Sequence, residues 1–90
     1  MSEYAFCEPV TATVRSYEHI RVVSDGILYL GGGVPTPTLC GYDLRRGWDV
    51  PTGVTERRVR AGLNAEVNPT CPKCADIWGR SVLGDDWETP

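Results

Sequence analysis

Ninety residues with a formal charge of −3 and a pI near 5.0 support one domain with a modest core, and they argue against a protein built mainly to bind polyanions. An apolar share of 41%, a single Phe, ten Gly and seven Pro cut the chain into short pieces, so burial alone leaves little net stability and a staple is expected. The start Met1-Ser2-Glu3-Tyr4 lacks the basic residues and apolar run of a secretory signal, and no stretch reaches the roughly 18 apolar residues of a membrane span, which predicts a soluble, cytoplasmic protein.

In chain order, Val10 to Val14 alternates apolar residues with threonines, the two-residue period of a half-buried strand. A second strand is predicted over His19 to Val23. Asp25-Gly26 supplies a hairpin-type turn, and Ile27-Leu28-Tyr29-Leu30 reads as a third strand. Gly31-Gly32-Gly33, Pro35 and Pro37 break that run, and Cys40-Gly41 fits a tight turn. Gly47 to Gly53 reads as loop. Val54 to Val67 is the best helix candidate, started by Thr55-Glu56, with Val59 and Leu63 four apart on its apolar side and Gly62 as a weak point. Asn68-Pro69 ends it, Cys71 to Cys74 forms a turn, and Ala75 to Val82 is predicted as a short closing helix with Ile77 inward. The expected fold is a small α+β domain over residues 1–84, with three or four short antiparallel strands and one or two short helices. Residues 85–90 read as a flexible acidic tail.

Chemistry concentrates on Cys71-Pro72-Lys73-Cys74, Cys40 and His19, the only histidine. In a cytoplasmic protein thiols stay reduced, which turns the four cysteines from a disulfide framework into a metal site. A C-x2-C turn lets two sulfurs reach one ion, and a third thiolate with an imidazole completes a closed structural Zn²⁺ site: His19, Cys40, Cys71 and Cys74. Cys7 in place of His19 is the rival set, and its position near a terminus counts against it. A third reading has no metal, with Cys7 and Cys40 as small buried residues. A redox role for Cys71 and Cys74 needs the motif at a helix N-terminus after a βαβ pattern, and the preceding strand is missing from the sequence pattern.

The run His19-Ile20-Arg21-Val22-Val23, then Thr38-Leu39-Cys40-Gly41, Trp48, and Pro69-Thr70-Cys71-Pro72-Lys73-Cys74 resembles the small zinc-ribbon-type proteins of actinobacteria and of the phages that infect them. The resemblance covers residues 19 to about 78 and implies a zinc-binding, β-rich domain. Segment 1–18 with Cys7, and the arginine-bearing insert between Cys40 and Cys71, depart from the pattern.

Gly31-Gly32-Gly33 is followed by no Gly-Lys-Ser/Thr, so a hairpin loop is favoured over a phosphate cradle. No His-Glu-x-x-His or deaminase pattern is present to give an open catalytic zinc with a carboxylate base, and no activity as an enzyme is expected. The favoured function is a zinc-binding protein-interaction module, such as a phage-encoded factor that modulates a host protein in the host cytoplasm. It would act through a β-edge, the Trp48 loop or the tail Asp85-Asp86-Trp87-Glu88. The alternative is a nucleic-acid-binding zinc ribbon in transcription, using Arg45, Arg46, Arg57, Arg58 and Arg60 on phosphates, with Trp48 as a further contact. Residues 1–25 carry −2 and residues 76–90 carry −3, so this arginine face would sit on an otherwise acidic protein.

Overall fold

The computed structural model describes residues 3–9, 16–43 and 46–88. Three strands, β1 (Glu3–Pro9), β2 (His19–Val23) and β3 (Gly47–Gly53), precede two helices, α1 (Glu56–Leu63) and α2 (Pro72–Val82), and a single 3-10 turn, Gly84–Asp86. The sheet is antiparallel with order β2-β1-β3, which places the N-terminal strand in the centre. This is a small α+β architecture, as the sequence predicts, but assembled from a different set of strands.

β1 alternates sides. Phe6 packs with Ile20, Val59, Trp78 and the helices, whereas Cys7 packs with Val34 under the loop between β2 and β3. Burial on both faces explains why residues 5 to 7 are all buried. The strand predicted over Val10 to Val14 lies outside the described residues.

Two expectations change on the other side of β2. Ile27 to Leu30 forms no strand, because carboxylates take its amides: Ile27 N–H donates to Asp25 Oδ1 at 3.0 Å and Tyr29 N–H to Asp49 Oδ2 at 2.8 Å. Gly47 to Gly53, expected as loop, is β3 instead. Its Gly and Pro content disfavours a strand, and pairing with β1 and burial of Asp49 override that preference. Pro51 is tolerated because β3 is an edge strand, and the register shifts between Phe6↔Val50 and Ala5↔Gly53.

Helix α1 is shorter than the predicted 54–67. Thr55 caps its start by accepting Arg58 N–H at 3.3 Å, and Val59 is its buried residue. Gly62 is there for contact: a Cβ at this position would overlap the Thr70 hydroxyl, and Gly62 O accepts Thr70 N–H at 2.9 Å. Helix α2 begins earlier than expected, with Cys71 as N-cap and Pro72 in the first turn, so Cys71 to Cys74 is the opening turn of a helix. Trp78, rather than the half-buried Ile77, is its large core residue.

The chain end is docked as far as Trp87, in place of a flexible tail from residue 85. Trp87 is buried, its indole N–H donates to Asp76 Oδ1 at 3.0 Å, and its ring stands edge-on to Trp78 with centroids 6.4 Å apart. Gly79 makes room, since a Cβ there would overlap the indole. Thr89 and Pro90 lie outside the described residues. No helix among the described residues is long and apolar enough to cross a membrane.

Candidate metal centre

The outer edge of β2 gathers the predicted ligands. Glu18 O accepts Cys71 N–H at 2.9 Å, Glu18 N–H donates to Pro69 O at 2.9 Å, and Ile20 O accepts Leu39 N–H at 2.8 Å. The residues either side of His19 therefore hold one chain segment that ends at Cys71 and another that carries Cys40. Helix α2 then turns Cys74 back toward the same point, one helical turn after Cys71.

The ligand atoms of His19, Cys40, Cys71 and Cys74 all lie within 4.8 Å of one another. His19 presents Nδ1, 3.4 Å from Cys40 Sγ and 3.7 Å from Cys74 Sγ. Its ring stacks on Tyr42, with centroids 4.7 Å apart and planes 10° from parallel, which fixes the imidazole plane. Cys71, Cys74 and His19 are buried and Cys40 is half-buried.

Cys7 stands apart from this group. It is fully buried with Val34, and its thiol donates to His19 O at 3.4 Å. Burial, and secondarily the charge of Asp49, push its pKa far up, so it behaves as a small apolar residue. Although Cys7 is the register partner of His19 on β1, its sulfur is not one of the four clustered donor atoms.

The surroundings act in opposite directions on Cys40 and Cys74. Burial alone would raise the Cys40 thiol, but the Thr38 hydroxyl, the Tyr42 backbone amide and the neighbouring thiols outweigh it and bring the pKa below the ordinary value. Thr38 Oγ1 is 3.1 Å from Cys40 Sγ and is itself held by Tyr42 N–H at 3.0 Å. Gly41 N–H donates to Thr38 O at 2.9 Å and closes the expected tight turn with φ of 89°. For Cys74, burial dominates and pushes the pKa up to about 12, against hydrogen bonds from the Ile20 and Cys40 amides. Burial also lowers the His19 pKa, which keeps the imidazole neutral and able to ligate. Cys74, too buried to ionise by itself yet supplied with N–H donors, suits a cation that replaces its proton.

Comparison with family models, curated proteins and solved structures returned no match. The chemistry of the site is therefore read from its own geometry. The cluster, with its largely buried donor set, can hold a metal ion.

The arginines do not form one free face. Arg60 lies over the Trp87 ring at 4.7 Å and is half-buried, Arg58 is exposed with Glu18 in its field, and Arg57 and Arg46 are exposed. Arg45 lies outside the described residues. Trp48 is half-buried on β3 and donates its indole N–H to Glu8 Oε2 at 3.2 Å, so it is part of the sheet rather than a projecting loop.

Sequence reasoning missed the second polar cluster. Arg21 and Asp49 form a buried ion pair at 2.6 Å, and Arg21 Nη1 donates to Thr36 Oγ1 at 3.0 Å. The sequence of β2 carries no local signal for it: an arginine that alternates with Ile20 and Val22 reads as the solvent face of a half-buried strand.

Proposed function

We propose that this chain is a zinc-stabilised protein-interaction module, in which Zn²⁺ joins β2, the Thr38 to Tyr42 turn and α2. The observation that carries the metal identity is the donor set: three sulfurs and one imidazole nitrogen in mutual reach, with N–H donors to the sulfurs. Two sulfurs on one tetrahedral zinc ion are about 3.8 Å apart and a sulfur–nitrogen pair about 3.6 Å, close to the His19 contacts at 3.4 and 3.7 Å. Soft thiolates with imidazole suit zinc over calcium or magnesium. His19, Cys40, Cys71 and Cys74 would hold the ion, and the ion would supply folding energy rather than catalysis.

The interaction role is supported by the exposed apolar side chains of Ile27, Leu28 and Leu30 in the loop after β2, at 54, 40 and 54% exposure, on a protein of net charge −3. An origin in a phage, with a host protein as partner, rests on the resemblance of the ligand-bearing motifs alone. The nucleic-acid reading has less support, because Arg60 lies over the Trp87 ring and pairs with Glu56 at 3.8 Å. Photo-crosslinking from position 28 and, separately, from position 57 in producing cells tests the choice. Protein adducts at 28 without nucleic-acid adducts at 57 support the interaction module. Nucleic-acid adducts at 57 that vanish with rising salt would replace it with the alternative.

A further inference from the structure

Between the sheet and the end of α2 runs an open cleft of about 510 Å³ whose apolar lining includes Val23, Leu28, Val54, Trp78 and Val82. Among the described residues Glu3 is the one charged side chain that lines it, and no lysine or arginine does. Other acids neighbour the lining residues in sequence, and the exposed Arg80 between Trp78 and Val82 is paired with Asp76 at 3.0 Å. Exposed Asp25 precedes the lining residue Gly26, and exposed Asp85 and Asp86 follow Val82 on the 3-10 turn. Leu28 and Val82 remain 40 and 49% exposed at its mouth.

We infer that this cleft docks a basic peptide segment of another protein, which places a leucine-sized anchor between Leu28 and Val82 and lysines or arginines against Glu3, Asp25, Asp85 and Asp86. The inference rests on the interaction role proposed above and gives it a place and a partner chemistry. An apolar floor supplies affinity, and an acidic lining residue on a protein of net charge −3 supplies selection for the opposite charge. A second copy of this chain would bring the same acids to the cleft, and an anionic membrane would repel them. Val23 lines the cleft at one end of β2 while His19 opens the same strand in the metal cluster, so the ion that holds β2 to α2 also holds the cleft's two walls.

The test titrates the zinc-loaded, ¹⁵N-labelled full chain with a synthetic amphipathic Leu/Lys peptide, with a Leu/Glu peptide of the same pattern as control. The expected result is amide shifts centred on residues 23, 28, 54 and 82 with the Leu/Lys peptide only. Leu28→Ser should weaken binding at least about tenfold and Glu3→Gln several-fold, with unperturbed spectra for both free variants. Shifts elsewhere, equal binding of the Leu/Glu peptide, or indifference to Leu28→Ser would overturn the inference. So would self-association relieved by Leu28→Ser, or partition of the protein into phosphatidylserine vesicles through Leu28. Binding at the cleft that survives complete chelation would leave the docking site standing and remove zinc from the proposed function. Failure of the peptide with protein adducts still formed at position 28 would remove the peptide chemistry alone.

Discussion

The Arg21 guanidinium meets the Asp49 carboxylate through two hydrogen bonds, Nε to Oδ1 at 2.7 Å and Nη2 to Oδ2 at 2.6 Å, with side-chain exposures of 1% and 0%. The pair links the two edge strands across β1, and it also collects the loop: Arg21 Nη2 donates to Ile27 O at 3.3 Å and Tyr29 N–H donates to Asp49. Arg21→Leu should cost about 3–5 kcal/mol, because Asp49 is then left buried without its partner. Arg21→Leu combined with Asp49→Leu should recover part of that loss. Urea unfolding of the zinc-loaded variants measures both, and a single variant as stable as the parent would show that the pair is not structurally required.

Thr38→Val removes the hydroxyl that faces Cys40 Sγ while keeping the shape of the side chain. Loss of one hydrogen bond at a ligand typically costs 10–100-fold in metal affinity, roughly, and that range is the expected effect here. Competition with a chromophoric chelator reads it directly. Unchanged affinity would mean that the Tyr42 amide is sufficient at this sulfur.

Gly79→Ala should expel Trp87, since the new methyl occupies the indole's place, at a cost of about 1–3 kcal/mol. Near-ultraviolet circular dichroism should lose the signal of the Trp78–Trp87 pair, and tryptophan emission should shift to the red. Gly62→Ala acts at Thr70, next to Cys71, so the same measurement repeated with chelator should show faster metal loss in that variant.

Metal affinity should rise with pH. His19 has its pKa lowered from 6.5, so at pH 7 and above the imidazole is already neutral and releases no proton on binding. The protons come from the thiols, chiefly Cys74, whose pKa of about 12 keeps it fully protonated without metal. As pH falls below 6.5, the unfolded chain protonates its histidine before the native protein does, and native stability from this group is lost down to the lowered native pKa. Calorimetric zinc titrations in buffers of different ionisation enthalpy should give about two to three protons released near neutral pH. Release of none would contradict thiol ligation.

The metal cluster was legible in the sequence because ligand chemistry restricts residue type so strongly. One histidine and a C-x2-C pair leave few combinations, and the remaining ambiguity between His19 and Cys7 needed three dimensions, since the two are register partners on adjacent strands. β2 was legible from its run of branched residues. β3 was not, because Gly47, Asp49, Pro51 and Gly53 carry turn signals, and only the pairing with β1 and the partner of Asp49 override them. Trp87 follows two aspartates near the chain end and reads as a tail, while the space that receives it is made by Gly79, eight residues earlier on another element. Contacts of that kind leave no local pattern.

Metal content by elemental analysis, with circular dichroism during chelation, compared across the parent, His19→Ala and Cys7→Ser, tests the account most directly. One zinc per chain, lost with the fold on chelation, absent from His19→Ala and retained by Cys7→Ser, is the predicted result. A parent protein that purifies without metal and stays folded in chelator, or a Cys7→Ser variant that loses the ion while His19→Ala keeps it, would contradict the proposed zinc centre.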